Sequence, residues 1–227
     1  MRIAVLGTGV VGRTIAGRLG GLGHDVVVGT RDPAASRART EPDRFGVTTA
    51  SWLVEHPELR LGTFGEAAAH GELVVNATSG QVSLDVLASA GAANLGGKIL
   101  VDVANDLDFS KGMPPVVGAT SQGSLAEQIQ AAFPTARVVK ALNTMNASLM
   151  ADPTSLAGGD HSVFLSGNDS AAKAAVGEIL RSFGWQDIID LGDLSTARGT
   201  ELLLPIWLSL MSALGTPASA FQFKVVR

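Results

Sequence analysis

Between the apolar run Ile3–Leu6 and a stretch in which Val11, Ile15, Ala16, Leu19 and Leu22 recur at helical spacing stands the hexapeptide GTGVVG. A short, continuous apolar run marks a strand covered on both faces. A glycine turn from such a strand into a helix leaves few folds open. The first glycine makes the tight turn, the second lets a ligand approach the backbone, and the third lets helix and strand touch. Gly7, Gly9 and Gly12 hold those places. Gly23 closes the helix and Val26, Val27 and Val28 form a second buried strand, so residues 2–28 read as one βαβ unit. The helix N-terminus then offers its free N–H groups to an anion.

Further strands are expected at 73–78, 98–104, 136–142, 161–167 and 187–192, with alanine-rich helices between most of them, such as Ser124–Phe133 and Ser170–Phe183. This alternation predicts a doubly wound, mostly parallel α/β sheet with a small C-terminal helical part. Arg44–Leu61, with Trp52, His56 and Pro57, reads as an irregular excursion. After Asp193 one long apolar helix is expected, kinked near Pro205, and the final FQFKVVR alternates like a short strand.

In many folds of this kind an acidic residue ends the second strand, where it holds the ribose hydroxyls and repels a 2′-phosphate. Here VVVGTRDP places Gly29, Thr30 and Arg31 there. A hydroxyl and a guanidinium suit a phosphate, while Asp32–Pro33 reads as the cap and first residue of a helix through about Arg39. NADP is therefore favoured over NAD. A net charge of −4 gives no general pull toward nucleic acid or an acidic membrane, so phosphate binding must be local.

The chain has no cysteine and no tyrosine, which removes disulfides, thiolate catalysis, cysteine metal sites and any tyrosine proton donor. MRIAVLGTG is too short in apolar residues for a secretory segment, and the tract Leu202–Leu214 is interrupted by Pro205, Ser209 and Ser212 and too short to span a bilayer. A cytoplasmic protein is expected. His24, His56, His70 and His161 stand next to turns without a carboxylate in a recognisable pair and read as surface or loop residues. Lys140 reads as a strand lysine with a packed stem and its head in water. Asn143 and Thr144 follow at the strand's carboxyl end, where cofactor and substrate meet in open sheets. No acid, base or metal site is assigned. Hydride transfer between two ring cofactors needs none, since it depends on aligning donor and acceptor carbons.

GTGVVG with VVVGTRDP, then VVKALNT, then the pattern D-x-G-x-L-x-x-A-R-x-x-E over Asp190–Glu201 resemble the NADPH-dependent reductases of coenzyme F420, a deazaflavin, along essentially the whole chain. The resemblance implies a Rossmann core, taken as residues 1–150, with residues 151–227 completing the sheet, the cleft and the contact of a homodimer. It also implies that Thr8, Val10 and Val11 join the glycine loop around the pyrophosphate, with Thr30 and Arg31 on the 2′-phosphate. Ala77, Thr78, Ser79 and Gly80 would run beside the middle of the cofactor, and Asn143, Thr144 and Ala147 would lie near the nicotinamide. The expected activity is hydride transfer between NADP(H) and coenzyme F420. Two alternatives stay open: another acceptor, such as a flavin, quinone or small carbonyl, and a non-catalytic NADP-binding sensor.

Overall fold

The computed structural model describes residues 1–43, 46–108, 110, 112, 115–118, 123–218 and 220–227. The chain opens with β1 (Arg2–Leu6), α1 (Val10–Gly21) and β2 (Asp25–Thr30), the expected βαβ unit. There follow α2 (Pro33–Ala38), α3 (Thr49–Glu55), β3 (Arg60–Thr63), α4 (Phe64–His70), β4 (Leu73–Asn76), α5 (Gly80–Ala90), α6 (Ala92–Leu95) and β5 (Ile99–Asp102). A two-stranded ribbon of β6 (Leu107–Asp108) and β7 (Val116–Val117) precedes α7 (Leu125–Ala132) and β8 (Arg137–Ala141). Then come α8 (Ala147–Ala151), β9 (Ser162–Gly167), α9 (Ser170–Phe183), β10 (Asp187–Asp190), α10 (Ala197–Leu202) and α11 (Leu204–Leu214).

Eight strands form one sheet in the order β10-β9-β8-β5-β4-β1-β2-β3. All neighbours run parallel except β8 and β9, which are antiparallel. Alternate residues of β1 serve opposite cores. Ile3 and Val5 pack with Ile15 and Leu19 of α1, Trp52 of α3 and Leu180 and Phe183 of α9. Ala4 and Leu6 pack with Ala67 of α4, Leu87 of α5, Leu95 of α6 and Ile129 of α7. Because β1 pairs with β2 on one side and β4 on the other, the chain reverses its direction of winding at β1. A crevice opens at the carboxyl ends of strands at such a point, and ligands bind there.

Several expectations change. The described part of the expected excursion contains α3, opened by a capping box between Thr48 and Ser51, and β3 begins at Arg60. Arg44 and Phe45 lie outside the described residues. The terminal FQFKVVR forms no strand, although β8 pairs only with the far end of β9, Leu165–Gly167, and leaves its start without a ladder partner on that side. It lies instead across the start of β9, where the Ser162 N–H donates to the Phe223 carbonyl at 2.9 Å and the Val225 N–H to Ser162 Oγ. His161 is a core residue, 2% exposed, with Nε2 donating to the Pro153 carbonyl and its ring edge-on to Trp185. The expected long helix is two, α10 and α11, with Pro205 in the first turn of the second, where a missing N–H is harmless. No described helix is long and apolar enough to cross a membrane.

Candidate active site

The three glycines of the first turn differ in what they answer to. Gly7 has φ +117°, a conformation that disfavours a side chain, and a Cβ there would lie 2.6 Å from the Ala77 carbonyl oxygen. A Cβ on Gly12 would collide with the Gly7 carbonyl oxygen. These two therefore lock α1 against the ends of β1 and β4. At Gly9 a Cβ would meet no atom within 4 Å, so nothing in the protein itself requires that residue to be small. Gly9 is also the N-cap of α1 and leaves the first turn without a side-chain cap. Open N–H groups beneath an unobstructed backbone fit a pyrophosphate. Ser79 opens α5 in the same uncapped way.

At the end of β2 the side chains divide. Thr30, 7% exposed, turns inward, its hydroxyl 2.7 Å from Ser36 Oγ, and steadies the β2–α2 turn. Asp32 caps α2, accepting from the Ala35 N–H at 2.9 Å, as the Asp-Pro pair predicts. Arg31 is exposed and lines a cavity of about 350 Å³ with Thr63, Phe64, Asp85 and Ser89. Its guanidinium makes no hydrogen bond or ion pair with any described residue.

A second cavity, of about 310 Å³, lies at the carboxyl ends of β4, β5 and β8. Val11, Ala77, Thr78, Ser79 and Asn143 line it, together with Asn105, Met145, Met150, Leu204, Trp207 and Leu208, which are not among the expected cofactor residues. Thr144 is buried and does not line the cavity, Ala147 begins α8, and Thr8 is half-buried within the loop. Val10 faces another cavity, with Arg13, Trp52 and His56. Gly80 packs on the next loop: its N–H donates to the Asn105 carbonyl and a Cβ would lie 2.5 Å from it. Trp207 is 8% exposed, its ring tilted against Phe221 with centroids 5.2 Å apart, so it faces inward.

Behind this wall the expectation for Lys140 is overturned. The residue is 1% exposed, and its Nζ reaches Asp102 Oδ2 at 2.8 Å, Glu201 Oε1 at 2.9 Å and the Ala104 carbonyl at 2.5 Å. Burial by itself lowers a lysine pKa; the facing carboxylates of Asp102 and Glu201 outweigh it and hold Lys140 above its ordinary value. The carboxylates have other donors as well. Asp102 Oδ1 accepts from Asn76 Nδ2 at 2.8 Å, and Glu201 accepts from the Leu125 and Ala126 N–H groups at the start of α7. Removing one member of such a network leaves a buried charge unpaired, at about 3–5 kcal/mol. A charged residue in the otherwise apolar run VVKA was the available signal.

The family profile described as NADP oxidoreductase, coenzyme F420-dependent, matches residues 2–106. A protein of Arthrobacter sp. FB24, whose crystal structure carries the provisional name F420-dependent NADP-reductase, is 60% identical over the full length of both chains, with a TM-score of 0.95. The F420-dependent NADP reductase of Methanothermobacter marburgensis is 28% identical over 92% of each chain. The chain belongs to this family of F420-dependent NADP oxidoreductases. It is thus an NADP-dependent oxidoreductase. Metalloreductase STEAP3 of Rattus norvegicus is 32% identical over all of this chain, which spans 42% of that protein's length.

The signature over Asp190–Glu201 now has a physical content for this oxidoreductase. Asp190 and the Gly192 carbonyl both receive Lys173 Nζ, at 2.8 Å each. Gly192 has φ +107°. Leu194 and Ala197 are buried in the second core, Arg198 makes a forked pair with Glu127, and Glu201 closes on Lys140. The segment binds α10, and through it α11, to the carboxyl ends of the strands.

Proposed function

We propose that this cytoplasmic oxidoreductase passes hydride between NADP(H) and coenzyme F420 in the cavity between the glycine loop and α11. The observation that carries the proposal is the lining of that cavity. Its residues are apolar apart from hydroxyls and amides, and no Asp, Glu, His, Lys or Arg side chain is among those described. Reduction of a carbonyl calls for a proton donor at the reacting oxygen. In hydride exchange between a nicotinamide and a deazaflavin, the proton that completes the reduced ring is taken from solvent at a ring nitrogen away from the reacting carbon, and the transfer itself calls for alignment in a dry site. Gly7, Gly9, Gly12 and the first turn of α1 would hold the pyrophosphate, Arg31 the 2′-phosphate, and Ala77–Gly80 the middle of the dinucleotide. The nicotinamide ring would give the hydride from NADPH, or take it up as NADP, when the cofactor is bound. Asn143 and Val11 would border that ring, and Met145, Met150 and Leu204 would exclude water around the acceptor. Mixing the protein with NADPH and oxidised F420 should bleach the deazaflavin absorbance, and NADP with reduced F420 should restore it. Silence in both directions would remove the proposal.

The kinship with a metalloreductase supports a second reading, in which NADPH serves a different acceptor in the same cavity. A panel of flavin, quinone and small-carbonyl acceptors, followed by NADPH consumption, separates the two. We also propose a homodimer formed through α11 and the end of α10. Leu202, Ile206 and Leu214 are 53%, 52% and 53% exposed, an apolar density unusual for a face left in water.

A further inference from the structure

Asn143 carries an inference that rests on the cavity being the place where nicotinamide and acceptor ring meet. The chain leaves β8 through Leu142, a buried residue at φ 62°, where a side chain is strained. Such strain persists only where the surroundings enforce it, and it occurs immediately before Asn143, which is 3% exposed and lines the cavity.

The orientation of the Asn143 carboxamide is settled by its partners. Nδ2 donates to Asn105 Oδ1 at 3.0 Å and to the Thr200 carbonyl at 3.1 Å. A backbone carbonyl only accepts, so the end of the amide facing Thr200 is the nitrogen. Asn105 is itself held, since its Nδ2 donates to the Asn143 carbonyl at 2.8 Å. Both N–H groups of Asn143 are therefore committed within the protein. Oδ1 receives no hydrogen bond from any described residue. The nearby Thr78 hydroxyl is engaged elsewhere, with Asn76 Oδ1 and Ser83 Oγ. What remains at this part of the wall is an oriented amide oxygen.

We propose that Asn143 Oδ1 receives a planar amide N–H from a bound ring, so that the site selects rings carrying that donor over isosteres that present only oxygen or carbon there. A desolvated acceptor left without a donor is unfavourable, and two facing oxygens are worse; a site built this way rejects the analogue that lacks the N–H. Two bound groups carry such a donor: the carboxamide of the nicotinamide, and the lactam N–H in the pyrimidine ring of a deazaflavin or flavin.

The test compares ligands within one protein. NADPH and its reduced 3-acetylpyridine analogue, in which a methyl ketone replaces the carboxamide, are titrated by fluorescence without acceptor. F420 and its N3-methyl derivative are compared by KM. The same measurements are made on Asn143→Ala, with Asn143→Met, closer in volume, if the alanine chain does not fold. One analogue should bind about tenfold more weakly than its parent to the native protein, and the discrimination should shrink below about twofold in the variant. Discrimination against acetylpyridine assigns the donor to the nicotinamide, and discrimination against the methylated ring assigns it to the acceptor. Equal binding of both analogue pairs to the native protein, or discrimination unchanged by the substitution, overturns the proposal. Failure of F420 as a substrate leaves the acetylpyridine comparison intact, because that comparison needs no acceptor.

Discussion

Arg31 and Lys140 show how differently two basic residues can be used. Arg31 is exposed beside a cavity, while its neighbours Thr30 and Asp32 are engaged with Ser36 and Ala35. In the proposed site, discrimination between NADPH and NADH would rest on the Arg31 guanidinium. Arg31→Ala should raise the KM for NADPH about tenfold or more, in line with about 1.5–3 kcal/mol for a charged hydrogen bond, and leave NADH little changed. Steady-state kinetics with both cofactors checks this, and equal losses would show that Arg31 does not read the phosphate. The site of Arg31 was legible from VVVGTRDP because the turn and the helix cap are local features. Lys140 was not, since its partners lie 38 and 61 residues away along the chain. Nothing in a strand's own periodicity tells a snorkelling lysine from a paired one.

Among the elements, those with their own punctuation were readable. The glycine turn announced α1 and Asp32–Pro33 announced α2. The capping box Thr63-x-x-Glu66 that opens α4 was present in the sequence and unused, and β3 escaped notice because an edge strand of four residues, RLGT, has too little periodicity. A second capping box, Ser124 with Glu127, opens α7, and there Arg198 of α10 adds a forked ion pair. Arg198 first, then the Ser124 N–H and hydroxyl, hold the Glu127 carboxyl down from 4.5 to about 2 against the opposing effect of burial. A carboxylate depressed on folding contributes stability that is complete above its unfolded value near 4.5 and is lost as pH falls through about 2. Urea midpoints of the native chain and Glu127→Gln should therefore differ most above pH 4.5 and converge as the pH is lowered toward 2. A gap that stays constant over that range would show that the α7–α10 clamp does not depend on the charge.

For the whole molecule, α11 presents two different faces. Leu204 and Trp207 line the cavity, and Ile206 stands outward beside Leu202 at the end of α10. Because Trp207 faces inward, the proposed dimer is tested on the outer residues. Leu202→Glu with Ile206→Glu should sediment as a monomer that still binds NADPH, and a persistent dimer would place the contact elsewhere. The sequence alone determined the βαβ start, the parallel α/β class and the choice of NADP, because these depend on periodicity, glycine geometry and charge over a few neighbouring residues. Only the tertiary structure decided which residues line the cavity beside the glycine loop, how Lys140 is paired and which oxygen of Asn143 is left over. Each of these depends on side chains brought together from β5, β8 and α10, and such contacts have no local signature.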